Sequence, residues 1–325
     1  MYILAGDIGG TNTRLALFEA KDGLKVIKEK KYPSKDYPSL LEIIRLFLEG
    51  VDSPIEGASF GVAGPVKEGK CKATNLAWVV DVKEIQEDLK TLSVFLLNDL
   101  EANAWGLSTL KEGELFVLNE GKEHSANKAL ISAGTGLGEA CLYWDGKMHH
   151  PFATEGGHVD FAPRDELEME LLRYMRKIFD HVSFERVLCG SGLYLLYRFL
   201  TEMQLEKGSE ALSLEFSLKD PASVITDKAL KKEDRASMRA LDWFISIYAS
   251  AAGNLALKFL SLGGLYIGGG IAPKILPAIN PADFVKIFSA KGRFAPLLSD
   301  IPLKVVLNDL AALQGSAFYA KTKLT

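Results

Sequence analysis

Two stretches of the chain share one pattern of apolar and polar positions. Residues 3–18, ILAGDIGGTNTRLALF, give an apolar run, a glycine-rich polar turn and a second run with alternating apolar positions. Residues 128–144, KALISAGTGLGEACLYW, follow the same plan, and each stretch predicts two strands joined by a tight turn. A second echo pairs residues 94–106, VFLLNDLEANAWG, with residues 305–315, VVLNDLAALQG: a short apolar strand, Asn-Asp, then a helix of small residues. Two echoes in the same order predict a duplicated α/β unit, one copy per domain, with the active site between the copies. The competing reading is a chance match of short apolar and glycine patterns.

Apolar spacing further predicts helices over 37–49, 82–90, 101–110, 165–179, 190–206, 237–259 and 310–321, alternating with strands near 3–8, 13–18, 57–61, 94–97, 129–132, 139–144 and 264–267. In the longest helix, Met238, Leu241, Phe244, Tyr248, Ala251, Leu255 and Phe259 recur every three or four residues, a buried stripe that reads as packing. The apolar stretch 243–271 is interrupted by Asn254 and Lys258 and broken by Gly263, Gly264 and residues 268–270. It therefore predicts a buried helix followed by a strand, not a membrane span.

A length of 325 residues suggests about two domains, and 48% hydrophobic with 25% charged residues excludes disorder and collagen-like repeats. Thirty-eight basic against forty-two acidic side chains leave a net charge of -4, so nothing favours nucleic acid or an anionic membrane as partner. Cys71, Cys141 and Cys189 are odd in number and far apart, which fits neither a disulfide framework nor a zinc ribbon and points to a reducing cytoplasm. The first ten residues have neither the basic nor the apolar region of a secretory signal.

Candidate chemistry concentrates at the glycine turns. In Asp7-Ile8-Gly9-Gly10-Thr11-Asn12-Thr13, adjacent glycines let backbone approach a ligand, and successive N–H groups flanked by hydroxyls form a nest for phosphate oxygens. Asp7 beside that nest could hold hydrated magnesium; the competing reading is a plain hairpin turn with a capping Asp. Gly134, Thr135 and Gly136 offer a second cradle, so that two facing cradles could grip a triphosphate, and Gly268 and Gly269 end a strand in a loop that could lie against adenine and ribose. Neither G-x-x-x-x-G-K-[ST] nor G-x-G-x-x-G with its acidic ribose ligand occurs, which excludes P-loop and Rossmann assignments. Glu155-Gly156-Gly157-His158 taken alone could be half of a metal site.

DIGGTNTRLAL, FGVAGPV, TNLAW, LLNDLEANAWG, ISAGTGLGEACL, EGGHVDFAP, ERVLCGSGL and YIGGGIAPKI stand in the order seen in bacterial ATP-dependent glucokinases, and the resemblance spans Ile3 to about Ala317. It implies an α/β protein of two ribonuclease-H-like (actin-like ATPase) domains with an interdomain cleft, the cradles gripping ATP. The expected small domain is 1–108 completed by a helix from 309–325, and the large domain is 109–308. The resemblance further implies that Asp99 is the catalytic base, that Asn98, Glu155, His158 and Glu185 bind sugar hydroxyls with it, and that Asn75 is a further contact. A carboxylate at a strand end suits acceptance of a sugar proton, although Asp99 could merely cap the next helix, the role expected of Asp309. Glu185 could likewise be an exposed carboxylate at a helix start. The zinc-binding relatives of this group carry C-x-C-G-x-x-G-C, which is absent here, so no zinc site is expected.

The reading is therefore phosphoryl transfer from ATP to the 6-hydroxyl of glucose, with Mg2+ required, no nucleic-acid or membrane partner, and a homodimer implied by resemblance alone. The alternatives are a kinase for another hexose or an amino sugar, a non-catalytic sugar-sensing protein, and a sugar-sensing regulator. The last needs a helix-turn-helix, for which the first strand at Ile3 leaves no room.

Overall fold

The computed structural model describes residues 1–21, 23–73 and 76–324. The chain forms two compact units, one of Met1–Glu112, His150–Ala153 and Asn308–Thr325, the other of Gly113–His149 and Thr154–Leu307.

The first unit contains strands β1 (Tyr2–Ile8), β2 (Asn12–Glu19), β3 (Lys25–Pro33), β4 (Gly57–Val62), β5 (Val66–Lys67), β6 (Lys70–Lys72), β7 (Val79–Asp81) and β8 (Val94–Asn98). Its main sheet has the order β3-β2-β1-β4-β8, and β5-β6-β7 form a small second sheet. The period of two along each strand sorts side chains between two faces. Leu4, Ile8, Leu15 and Leu17 point into a core shared with Phe60 and with Ile43 and Phe47 of α1 (Leu40–Leu48). Ile3, Ala5, Ala16 and Phe18 point the other way, under Leu313, Ala317 and Ala320 of the C-terminal helix. Central β4 is buried at every position, as expected of a parallel strand covered on both faces. Edge strand β3 carries Lys25, Lys28, Lys30 and Lys31 and is largely exposed, a composition that discourages pairing with other chains.

The helix expected over 37–49 begins only at Leu40. Pro38 disfavours helical backbone at Tyr37, and Ser39 supplies the cap, its hydroxyl accepting from the Glu42 N–H at 3.4 Å. Helix α2 (Val82–Leu89) is capped by Asp81, and α3 (Asp99–Gly106) starts two residues before its expected position.

The other main sheet contains β9 (Leu115–Asn119), β10 (Lys128–Ala133), β11 (Leu137–Trp144), β12 (His149–Thr154), β13 (Leu265–Gly268) and β14 (Leu303–Val306), in the order β12-β11-β10-β13-β14-β9; all but residues 150–153 of β12 belong to the second unit. Apart from the extra edge strand β9, this repeats the order of the first sheet: an edge strand, an antiparallel pair, then two parallel strands. The echoes therefore correspond to a real repeat of topology. His149 and His150, expected in a loop, lie on β12. Its polar, Pro151-containing sequence fits a strand at a sheet edge.

The helices of this unit are α4 (Glu166–Met175), α5 (Gly190–Glu202), α6 (Glu210–Leu218), α7 (Pro221–Leu230), α8 (Arg235–Phe259), α9 (Ala272–Ile275), α10 (Pro281–Ser289) and α11 (Ala295–Ser299). Helix α8 buries Leu241, Phe244, Tyr248, Ala251 and Leu255 in the main core, as its stripe predicts. Among the described residues no helix is long and apolar enough to cross a membrane.

The last helix, α12 (Ala311–Leu324), packs on α3 within the first unit, both following the fifth strand of their copy. A Cβ at Gly315 would overlap the Ala102 carbonyl oxygen, and one at Gly106 would overlap that of Ala311. The two backbones are thus in direct contact, and no larger residue fits at either crossing point.

Candidate active site

In the first unit β1, β4 and β8 run parallel, and their C-terminal ends present the candidate carboxylates. Asp7 is level with Gly61, which is level with Leu97; Ile8, Val62 and Asn98 form the next row. With strands roughly 4.8 Å apart, Asp7 and the end of β8 are separated by roughly 10 Å. Gly61 keeps the intervening row low: a Cβ there would come within 2.7 Å of the Ala102 Cβ and 3.6 Å of the Asp99 Cα, so the first turn of α3 can sit on β4.

Asn98 is the N-cap of α3, its Oδ1 accepting from the Leu100 N–H at 2.9 Å. Asp99, one residue on, accepts the same N–H at 3.0 Å and is half-buried. The N-cap position itself is thus held by Asn98, with Asp99 sharing the Leu100 N–H. The repeat does the same: Asn308 Oδ1 accepts from the Leu310 N–H at 2.7 Å. Asp309 is therefore not the cap it was expected to be. Its side chain is 81% exposed and pairs with Arg14 at 3.0 Å.

Asp7 and Asp99 sense each other. Burial, and then the charge of Asp99, push the Asp7 carboxyl up to about 6, against the opposing pull of Arg14 and Lys31. Arg14 itself is held between Glu29 at 2.6 Å and Asp309. The Gly9-Gly10-Thr11-Asn12 turn that follows is closed by the Gly9 N–H on the Asn12 oxygen at 2.9 Å. Ser34 braces it from below: its N–H donates to the Thr11 carbonyl at 3.0 Å and its hydroxyl to the Gly9 carbonyl at 2.8 Å. Since that hydroxyl has one proton, the Thr13 hydroxyl, 3.0 Å away, is the donor of their mutual bond.

In the second unit the β10–β11 turn, Gly134-Thr135-Gly136, is closed by the Gly134 N–H on the Gly136 oxygen at 2.8 Å. Glu185 lies against it, accepting the Leu137 N–H at 3.0 Å with one carboxylate oxygen. The other stands 3.8 Å from His158 Nδ1, and Glu155 lies 3.9 Å from His158 Nε2. Three of the six side chains expected to bind sugar, Glu155, His158 and Glu185, are thus one cluster, an imidazole between two carboxylates, and Glu185 is no stray helix-start residue. Gly157 backs onto β11, its carbonyl accepting the Glu185 N–H at 2.9 Å. The Gly268-Gly269 loop ends β13 beside β10, the last paired residues being Ser132 and Gly268. Asn75 lies outside the described residues.

A profile of the family described as Glucokinase matches residues 4–323. The glucokinase of Nostoc punctiforme is 43% identical, over 98% of both chains. The chain belongs to the glucokinase family. It is accordingly an ATP-dependent hexose kinase, of the two-domain actin-like ATPase fold. A glucokinase structure from an Antarctic psychrotroph superposes with a TM-score of 0.87 at 32% identity, covering 99% of each chain. A ROK family glucokinase from Streptomyces griseus, solved with glucose and AMPPNP, shares the fold at a TM-score of 0.68 and 18% identity, covering 99% of this chain and 100% of that one.

Within this glucokinase framework, sequence reasoning missed Ser34 and Glu139. Ser34 acts on a turn 25 positions away, and nothing local marks it. Glu139 is 4% exposed beside the Glu155–His158 segment, where a Cβ on Gly156 would overlap its carboxylate, and burial raises its pKa. An acidic residue inside an otherwise apolar strand was the available signal.

Proposed function

We propose that this glucokinase phosphorylates the 6-hydroxyl of glucose with Asp99 as general base. The hydroxyl oxygen forms a bond to the γ-phosphorus of ATP, the bond to the bridging oxygen of ADP breaks, and the hydroxyl proton passes to the Asp99 carboxylate. The observation that carries this reading is the position of Asp99, a half-buried carboxylate just past the end of β8, at the C-terminal ends of parallel strands β1, β4 and β8, the usual place for ligands in α/β sheets. Glu155, His158 and Glu185 suit vicinal sugar hydroxyls, offering acceptors on either side of a ring nitrogen pair. Asn98 and, on resemblance, Asn75 join them. Removing one such partner leaves the others with unmet polar groups, which gives selectivity against sugars lacking a hydroxyl.

Gly9, Gly10, Thr11 and Asn12, with Gly134, Thr135 and Gly136, are assigned to the ATP phosphates, and Gly268 and Gly269 to the nucleoside end. Asp7 fits a magnesium ion held through water: it is an oxygen donor whose raised pKa of about 6 still leaves it mainly ionised at pH 7, and its mutual repulsion with Asp99 favours a cation nearby. Bound there, Mg2+ would neutralise phosphate charge. The buried thiols of Cys71, Cys141 and Cys189, none of them in a disulfide, support a cytoplasmic enzyme, and a homodimer is proposed on resemblance.

The deciding experiment is Asp99→Asn assayed by coupled ADP release with glucose and ATP. Turnover should fall by roughly 100-fold or more while glucose affinity stays within about tenfold. Near-normal turnover would end the assignment of Asp99 as base.

A further inference from the structure

The helix stripe that packs α8 against the second sheet contains one polar atom with a separate task. Tyr248 is 1% exposed, yet its hydroxyl meets three main-chain groups: it accepts the Ala133 N–H at 3.1 Å and faces the carbonyls of Ile131 at 3.2 Å and Gly268 at 3.4 Å. Its single proton is directed at those two oxygens. Burial pushes the phenol far above its ordinary range, so it keeps that proton at any physiological pH.

These partners stand where the sheet stops holding itself together. The β10–β13 ladder ends at the pair Ser132 and Gly268. Beyond it the strands become the two glycine loops: Gly134 closes its own turn on Gly136, and Gly269 adopts φ +83°, folding so closely over Ala133 that a Cβ would overlap the Ala133 oxygen. Ala133 is tied on one side by the Ile271 N–H, which donates to its carbonyl at 3.2 Å. Its own N–H is held by a side chain from α8.

We propose that Tyr248 is a positioning residue for ATP, its hydroxyl fixing the spacing between the Gly134–Gly136 turn and the Gly268–Gly269 loop. The inference rests on the assignment of those loops to ATP. Tyr248 acts on the nucleotide through the main chain of Ala133 and Gly268, and its hydroxyl bonds none of Glu155, His158 and Glu185.

The test is Tyr248→Phe in the full chain, which keeps the ring and removes only the oxygen. The Michaelis constant for ATP should rise about tenfold while that for glucose stays within about twofold. Phe244→Leu is the control, since Phe244 packs on the Tyr248 ring in the same core, centroids 6.0 Å apart, and has no polar side-chain atom to bond either loop; it should lower the melting temperature without changing the ATP constant. A Tyr248→Phe enzyme that melts earlier with an unchanged ATP constant overturns the proposal, because the tyrosine is then packing alone. Should that variant not fold, amide exchange in the unaltered protein decides: the Ala133 amide should exchange as slowly as that of Leu130, and exchange as fast as Thr135 overturns the proposal. Thr135→Ala separates the underlying reading. If it leaves the ATP constant unchanged, the loop assignment fails and this inference with it; if it raises that constant and Tyr248→Phe does not, only this inference fails.

Discussion

Asp7→Asn should make the protein more stable and less active. Asp7 has its pKa raised from 3.8 to about 6, first by burial and then by the charge of Asp99. At about 1.4 kcal/mol per unit, keeping it ionised at pH 7 costs the folded state about 3 kcal/mol, an upper value because the side chain retains some contact with solvent. A carboxyl with a raised folded-state pKa binds its proton more tightly when folded. The penalty is therefore absent below the unfolded value, grows as pH rises, and is complete above about 6. The amide of Asn has the same shape and no charge, so the variant escapes the cost. Its advantage should be about 3 kcal/mol at pH 7, about 1.6 at pH 5 and about 0.5 at pH 4. Thermal melting of both proteins across that range, without ATP or magnesium, measures it. Turnover with magnesium and ATP should fall by roughly 100-fold in the same variant, since the anchoring charge is lost. A gain that does not change with pH, or a loss of stability at pH 7, would refute the claim that Asp7 is held ionised against burial and Asp99.

Asp309→Asn should leave turnover unchanged and cost at most about 1 kcal/mol, because its pair with Arg14 is solvent-exposed; loss of turnover in a folded variant would mean that the wrong repeat had been given the chemistry. His158→Ala should raise the Michaelis constant for glucose more than that for ATP, and the reverse order in steady-state kinetics would remove it from the sugar cluster. Gly315→Ala should destabilise by about 3 kcal/mol or prevent folding, as its methyl would meet the Ala102 carbonyl; an unchanged melting temperature would show that α3 and α12 can separate without cost.

What was legible in the sequence follows from where each element gets its stability. β1, β4 and β10 announce themselves because strands covered on both faces must be apolar throughout. β3 and β12 do not, since edge strands are made of lysine, histidine and proline for reasons opposed to the pattern being sought. α6 was equally hidden, for it leaves Leu214 and Leu218 exposed and buries only Leu212. The glycine turns could be found as turns, but the groups that shape them could not. Ser34 reaches Gly9 across 25 positions and Tyr248 reaches Ala133 across 115, and local spacing carries no information about such pairs. The Asn-Asp repeat was visible, whereas the partners of its members, a helix N–H for Asn98 and Asn308 and the Arg14 guanidinium for Asp309, needed the geometry.

The dependence of the first unit on α12 sets an order of events on the ribosome. Residues 1–112 are made first, but the sheet face formed by Ile3, Ala5, Ala16 and Phe18 is covered by Leu313, Ala317 and Ala320, which are translated roughly 200 residues later. At about 5–20 residues per second that interval is roughly 10–40 s. Throughout it the nascent first sheet presents an uncovered apolar face, the kind of surface that chaperones hold and that aggregation exploits. The second unit, whose residues 113–307 are nearly contiguous, can finish folding before the first does, so the half of the enzyme synthesised earliest is the half completed last.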